Sequence, residues 1–211
     1  MSSPQVLISV WSDYVCPFCY LEVPVLEQIK AEYGQRVEIR WRAFELRPDP
    51  VPTLDPRGEY LRSTWEEAVF PMAADRGMTL NLPPVQPRSR KAFEAACFAR
   101  DHGRGSRMHQ ALFQAFFELG TDIGDIAELA NIARAVELNA SRLQVVLERG
   151  DYTKQVLEDR RVAERLGITS VPAILVQRAD EALEAGHLLI GAQAYEDISE
   201  AVARRLDSVT A

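Results

Sequence analysis

Val6-Leu-Ile-Ser-Val-Trp-Ser-Asp-Tyr-Val-Cys16-Pro-Phe-Cys19-Tyr-Leu-Glu-Val-Pro24 is the stretch whose reading decides the fold. Val6 to Trp11 is short, apolar and rich in β-branched residues, which predicts a buried strand. From Pro17 to Tyr33 the apolar residues Leu21, Val25, Leu26 and Ile29 recur at helical spacing, and Gly34 supplies a stop, so this segment reads as one helix. Cys16 therefore falls at the helix N-cap and Cys19 one turn further in. Unpaired backbone N–H groups and the positive end of the helix dipole favour an anion at the first position. The thiolate is the reactive form of cysteine. This spacing next to a βαβ pattern reads as a redox dithiol, with Cys16 as nucleophile and Cys19 as resolving thiol. Pro17 suits the first helical position, where no N–H is required.

Two other readings of the pair stand beside this one. A structural disulfide closing so short a loop gains only about 2 kcal/mol. A metal site needs further ligands, and Cys97, His102, His109 and His187 are the remaining Cys and His candidates, with no second CxxC or HxxxH pair. No metal is expected.

Outward from the dithiol, Arg36 to Phe44 alternates, with Val37, Ile39, Trp41 and Ala43 on one face and Glu38, Arg40 and Arg42 on the other, the pattern of a second strand. Prolines 48, 50, 52 and 56 make 48–57 a loop. Helical periodicity then runs through 58–76, 88–101, 105–119, 123–137, 140–149 and 151–166, with 79–87 as an irregular connection. Ala173 to Val176 and His187 to Ile190 read as strands and Tyr195 to Leu206 as a closing helix. The expected architecture is an α/β sheet domain from residues 1–50 and 151–211, with an all-helical insertion at 51–150. Val171-Pro172 enters the third strand. A cis peptide there would expose the Val171 backbone for pairing with an extended substrate, whereas a plain trans turn is the commoner outcome.

Composition narrows the function class. The chain has 211 residues, 47% of them hydrophobic and 26% charged, enough for a core without staples. Three cysteines are too few for a secreted disulfide scaffold. A net charge of −7 argues against nucleic-acid binding, which needs clustered cations. No apolar run reaches the ~18–20 residues of a membrane span. Met1-Ser-Ser-Pro-Gln5 has no basic residue, and Ser9 and Ser12-Asp13 interrupt the apolar run that follows. The expectation is a cytoplasmic protein without a membrane partner.

Cys16-Pro-Phe-Cys19 with Pro24 behind it resembles the thioredoxin-fold active-site helix and its kink proline, and Val171-Pro172 is similar to that fold's cis-proline loop. A helical insertion after the second strand resembles the DsbA-like branch. More narrowly, Ser12-Asp13-Tyr-Val-Cys-Pro-Phe-Cys-Tyr20, Phe44-Glu-Leu-Arg-Pro48 and Gly191-Ala-Gln193 resemble the FrnE-like group of dithiol-disulfide isomerases. The resemblance implies a thioredoxin-like fold and a thiol-disulfide oxidoreductase or isomerase. It implies Cys16 and Cys19 as catalytic pair and Val171 and Pro172 as substrate-binding residues. Pro17, Phe18 and Asp13 support them. Thiol or disulfide substrates are the expected partners, with no bound cofactor beyond the Cys16–Cys19 disulfide and glutathione as a possible co-substrate. The chain departs from the group at Phe18, Glu22 and Ala173, where Trp, Gly and Thr are usual. Kappa-class glutathione transferases and hydroxychromene-carboxylate isomerases share the architecture, generally with Ser at the catalytic position. They set the alternative of a glutathione-dependent isomerase or transferase on a small organic substrate.

Several side chains carry two readings. Asp13 either orients the loop or relays a proton to Cys19, against a plain turn acid capping the helix start. Glu45 either approaches the dithiol or is an exposed strand-end carboxylate. Cys97, in an apolar helix, reads as a buried inert thiol, with a third redox partner as the alternative. His102 and His109 flank Gly103-Arg104-Gly105 and are expected at helix ends, and Phe113, Phe116 and Phe117 read as core for the most part, with the lining of a substrate groove as the alternative.

Overall fold

The structure, a computed structural model, describes residues 3–207. Met1, Ser2 and residues 208–211, counted above with the expected sheet domain, lie outside the described residues. Strand β1 (Val6–Ser12) occupies the interior of a four-stranded sheet in which β2 (Val37–Ala43) flanks it on one side and β3 (Ala173–Arg178) on the other, with β4 (His187–Ile190) beyond β3. β1 and β2 run parallel from Val6 against Val37 to Ser12 against Ala43. β3 is antiparallel to β1, with Trp11 opposite Ala173, and β4 is antiparallel to β3. A parallel pair needs a crossover. Here α1 (Pro17–Leu21) and α2 (Val23–Tyr33) supply it.

The expected single helix from Pro17 to Tyr33 is therefore two. The break falls at Glu22, which stays in the right-handed helical region (φ −78°, ψ −18°). Pro24 is the physical reason, since it has no N–H to offer the carbonyl four residues back. Glu22 bridges the gap by donating its N–H to the Phe18 carbonyl and accepting from Leu26 N.

Both faces of the sheet are covered. On one side Val6, Ile8, Val10, Val37, Ile174 and Val176 pack against Leu26 and Ile29 of α2 and against Ile198 and Val202 of α10 (Tyr195–Asp207). On the other, Trp11, Ala173 and Leu175 meet Val162 and Ala163 from the helix that precedes β3. Each large aliphatic side chain fully buried in these layers stabilises the fold by about 1.5–3 kcal/mol.

Between β2 and β3 the chain is helical. α3 (Glu59–Thr64) and α4 (Phe70–Asp75) are joined by a π-helical turn at Trp65–Val69, where one continuous helix was expected. α5 (Arg90–Asp101), α6 (Gly105–Phe117), α7 (Ile126–Ala135), α8 (Ala140–Arg149) and α9 (Thr153–Arg165) follow. The Asp125 side chain accepts from Ala127 N and that of Asn139 from Arg142 N, so α7 and α8 begin at capped ends. Gly150 closes α8 in the left-handed conformation (φ 68°) that a residue with a Cβ adopts only at a cost. Phe98, Phe113, Phe116, Phe117, Leu143 and Leu147 form the helical core, and Tyr14, Cys19, Tyr20 and Leu21 belong to the same cluster. The first turn after β1 thus sits where the helical core meets the sheet.

Candidate functional site

Cys16 is the N-cap of α1 in an extended conformation (φ −96°, ψ 113°), and Pro17 is the first helical residue. Its carbonyl accepts from Cys19 N at 3.1 Å and Tyr20 N at 3.3 Å, and its N–H bonds the Asp13 carbonyl at 3.0 Å. These bonds curl the chain so that the two thiols lie side by side, unbridged. Cys16 is 4% exposed and Cys19 fully buried. The Cys16 thiol donates to the Val171 carbonyl at 3.7 Å, and the Val171–Pro172 peptide is cis. Gly191 N bonds the Pro172 carbonyl at 2.8 Å and ties that loop to the end of β4. Residues more than 150 positions apart in sequence, Cys16 and Val171, are thereby brought together. Phe18 is half-buried against the helical core and brings no charge.

Cys19 lies where ionisation is disfavoured. Burial pushes its thiol well up, and the adjacent Cys16 adds to this. The Asp13 N–H, 3.5 Å from the Cys19 sulfur, acts in the opposite sense. Asp13 itself is fully buried. Its carboxylate accepts from Leu46 N at 2.7 Å and Val15 N at 3.3 Å. Burial raises its pKa to about 6 against those hydrogen bonds, with nearby Glu45 contributing in the same direction. The side chain therefore anchors the 13–15 turn and the segment after β2, while the backbone N–H of the same residue reaches the sulfur.

Glu45 is 5% exposed and clasped by Arg90, at 2.7 Å to Nε and 2.5 Å to Nη2. The exposed strand-end alternative does not hold, because α5 brings its first arginine onto the carboxylate. His109 is likewise not at a helix end. It lies within α6, 7% exposed, with Nδ1 3.0 Å from the Tyr14 hydroxyl. Burial lowers its pKa to about 3, so the ring is neutral. His102 does cap α5, as expected. Cys97 is buried on α5, and burial pushes its thiol up to about 11. Tyr20 stacks on Phe113 and Phe117 with centroids 5.1 and 5.7 Å away, and its hydroxyl bonds Glu118. The three phenylalanines are core residues.

The sequence reading marked Glu22 and Gln193 separately but did not join them to Arg76. Glu22, at the break between α1 and α2, is fully buried. It accepts from Arg76 at 3.1 Å and from Gln193 N at 3.0 Å. Arg76 also donates to the Leu21 carbonyl at 2.5 Å and the Gln193 carbonyl at 2.7 Å. One guanidinium thus joins the end of α4, the helix break and the loop after β4. Burial raises the Glu22 pKa, with the Gln193 N–H and Arg76 opposing. Gln193 was already marked by the Gly191-Ala-Gln193 motif, whereas Arg76 has no local signal.

No group of three or more His, Cys, Asp or Glu among the described residues is placed to hold a metal ion. No described helix is long and apolar enough to cross a membrane.

A β-α-β unit with two antiparallel strands beyond it, a helix-start dithiol and an X-Pro loop against the first thiol together define a thioredoxin-fold protein with an α-helical insertion. A family model for the DSBA-like thioredoxin domain matches residues 7–203, and the chain belongs to that family. YwbO of Bacillus subtilis strain 168, an uncharacterised protein, is 37% identical over 175 residues, covering 80% of this chain and 86% of its own length. In shape the chain is similar to the "probable DsbA oxidoreductase SCO1869" of Streptomyces coelicolor (TM-score 0.79, 22% identity, 96% of this chain and 91% of that one). It is also similar to a 2-hydroxychromene-2-carboxylate isomerase (TM-score 0.74, 17% identity, 97% and 99% covered). At these identities the two structures bear on the fold alone.

Proposed function

We propose that this protein is a thiol-disulfide oxidoreductase working through Cys16 and Cys19. The observation that carries the reading is the position of Cys16, at the start of α1, beside Cys19 and opposite the Val171 carbonyl. The Cys16 thiolate attacks one sulfur of a substrate disulfide. The substrate S–S bond breaks, a mixed disulfide forms at Cys16, and the departing thiolate takes up a proton. Cys19 then loses its proton and attacks the Cys16 sulfur, releasing the second substrate thiol and leaving the Cys16–Cys19 disulfide, two electrons having passed to the substrate. The reverse sequence oxidises a dithiol.

Val171 and Pro172 hold the substrate backbone across from Cys16. Asp13 is a positioning residue, since its N–H supplies the hydrogen bond that a Cys19 thiolate gains during resolution. Pro17 fixes the helix start and Phe18 gives the site an apolar rim. Substrates are protein or small-molecule thiols and disulfides, with glutathione as the simplest co-substrate.

Insulin disulfide reduction driven by dithiothreitol tests the reading. Cys16→Ser is expected to abolish the catalysed rate. Activity retained in Cys16→Ser and lost in Cys19→Ser would reverse the two roles. Glutathione-dependent turnover of a small organic substrate in the Cys16→Ser/Cys19→Ser double variant would replace the dithiol reading with the isomerase or transferase alternative.

A further inference from the structure

Away from the dithiol, a cleft of about 770 Å³ opens between β2 and the α5–α6 pair, and neither Cys16, Cys19, Val171 nor Pro172 lines it. Its volume is that of a small-molecule site. Three observations bear on what it holds.

The first is charge. Five arginines line the cleft, Arg40, Arg42, Arg100, Arg104 and Arg107, against the carboxylates Glu38 and Asp159, in a chain of net charge −7. The β2 arginines are already paired. Arg40 holds Glu38 through two bonds of 2.8 and 3.0 Å, and Arg42 holds Asp159 at 3.1 Å. The α5–α6 arginines are less satisfied. Arg104 and Arg107 share the single carboxylate of Glu137, at 3.3 and 2.6 Å, and Arg100 has Asp101 no nearer than 3.9 Å. Gly105 starts α6 close against Arg100 near the end of α5. A Cβ there would lie 3.2 Å from the Arg100 Cα, a tight approach that glycine relieves.

The second is unmet hydrogen bonding. Arg104 Nε and His109 Nε2 are buried without a hydrogen-bond partner, and both residues line the cleft. His109 is 7% exposed, and its other ring nitrogen is engaged by the Tyr14 hydroxyl. In the neutral ring Nε2 is a donor or an acceptor according to which of Nδ1 and the Tyr14 hydroxyl holds the shared proton, and in either state it is unpaired. Buried polar groups in folded proteins nearly always find a hydrogen-bond partner.

The third is shape. Trp41 and His109 lie ring on ring, with centroids 4.0 Å apart at an interplanar angle of 33°, and Tyr14 and Phe93 continue the aromatic lining. Flat rings lie favourably along such a surface.

We propose that this cleft binds a small planar organic anion of the aromatic carboxylate class. Its ring lies along Trp41 and its carboxylate is held by Arg100 and Arg104, beside the buried His109. The arginines supply charge-assisted, planar recognition of the carboxylate. The site stands apart from the dithiol chemistry and does not depend on it.

Calorimetric titration of the full chain with naphthalene-2-carboxylate, beside the neutral 2-naphthalenemethanol, tests this. The carboxylate is expected to bind saturably at one site, more weakly as salt is raised. The alcohol is expected to bind about tenfold or more weakly, because it forgoes the guanidinium contacts. Arg104→Gln and, separately, the more exposed Arg100→Gln should each weaken the carboxylate by a similar factor, whereas Arg204→Gln on α10 should not. Thermal melting of both cleft variants shows that they are folded. The Cys16→Ser/Cys19→Ser double variant should bind as the parent does, which keeps this result separate from the redox assay. Absence of saturable binding, equal affinity for acid and alcohol, or unchanged affinity in both folded arginine variants would overturn the proposal.

Discussion

Asp13→Asn probes the buried carboxyl that anchors the active-site turn. An unfolded-chain aspartate ionises near 3.8, whereas burial raises the native Asp13 to about 6. At ~1.4 kcal/mol per unit this difference is worth about 3 kcal/mol. The sign follows from proton binding. Between the two pKa values the native state holds a proton that the unfolded chain has released, so stability falls as pH rises. The favourable contribution of the neutral carboxyl is fully present below 3.8 and is lost as pH passes through about 6. Asparagine does not titrate. Its amide keeps one acceptor for Leu46 N or Val15 N and turns an NH₂ toward the other, a penalty that does not vary with pH. The assay is urea unfolding of both reduced proteins at intervals from about pH 3.5 to about pH 7.5. The parent's stability minus that of Asp13→Asn should fall by about 3 kcal/mol across the range, nearly all of it below about pH 7. Parallel profiles, or a difference that grows with pH, would refute the claim that burial dominates at Asp13.

Arg76→Met leaves Glu22 buried with only the Gln193 N–H. The loss should be about 3 kcal/mol by urea midpoint, and Glu22→Gln added to it should restore much of this. Phe113→Ala removes a fully buried ring stacked on Tyr20 and should cost about 3–5 kcal/mol in the same assay. Iodoacetamide applied to native Cys16→Ser at neutral pH should label Cys19 and Cys97 slowly, because burial pushes both thiols up, and denaturant should make labelling fast by mass spectrometry.

What was legible in the sequence was what local chemistry specifies. Cys16 at the N-cap with Pro17 behind it follows from a strand ending in Ser12-Asp13 and a helix that must then begin, and the structure places both as read. The alternation of β2 was legible too, although Ile39 and Trp41 stay half-buried because β2 lies at the sheet edge. The helix break at Glu22 was masked by an apolar period that continues from Leu21 through Val25 and Ile29, even though Pro24 was in view. The pairings around the site were not legible. Arg76 meets Glu22 from 54 positions away and Arg90 meets Glu45 from 45, and nothing local marks which of many arginines will arrive. His109 was misplaced for a related reason. The glycines at 103 and 105 suggested an end, but α6 starts at Gly105, and the burial of His109 comes from Tyr14 and Trp41, far away in sequence.

The central claim is that Cys16 is the sulfur that reacts and Cys19 the one that resolves. Its most direct test is intact-mass and peptide-mapping analysis of Cys19→Ser incubated with glutathione disulfide. A single glutathione adduct is expected to accumulate on Cys16 and to be absent from Cys97. A protein that stays unmodified, or an adduct carried by Cys97 with Cys16 free, would contradict it.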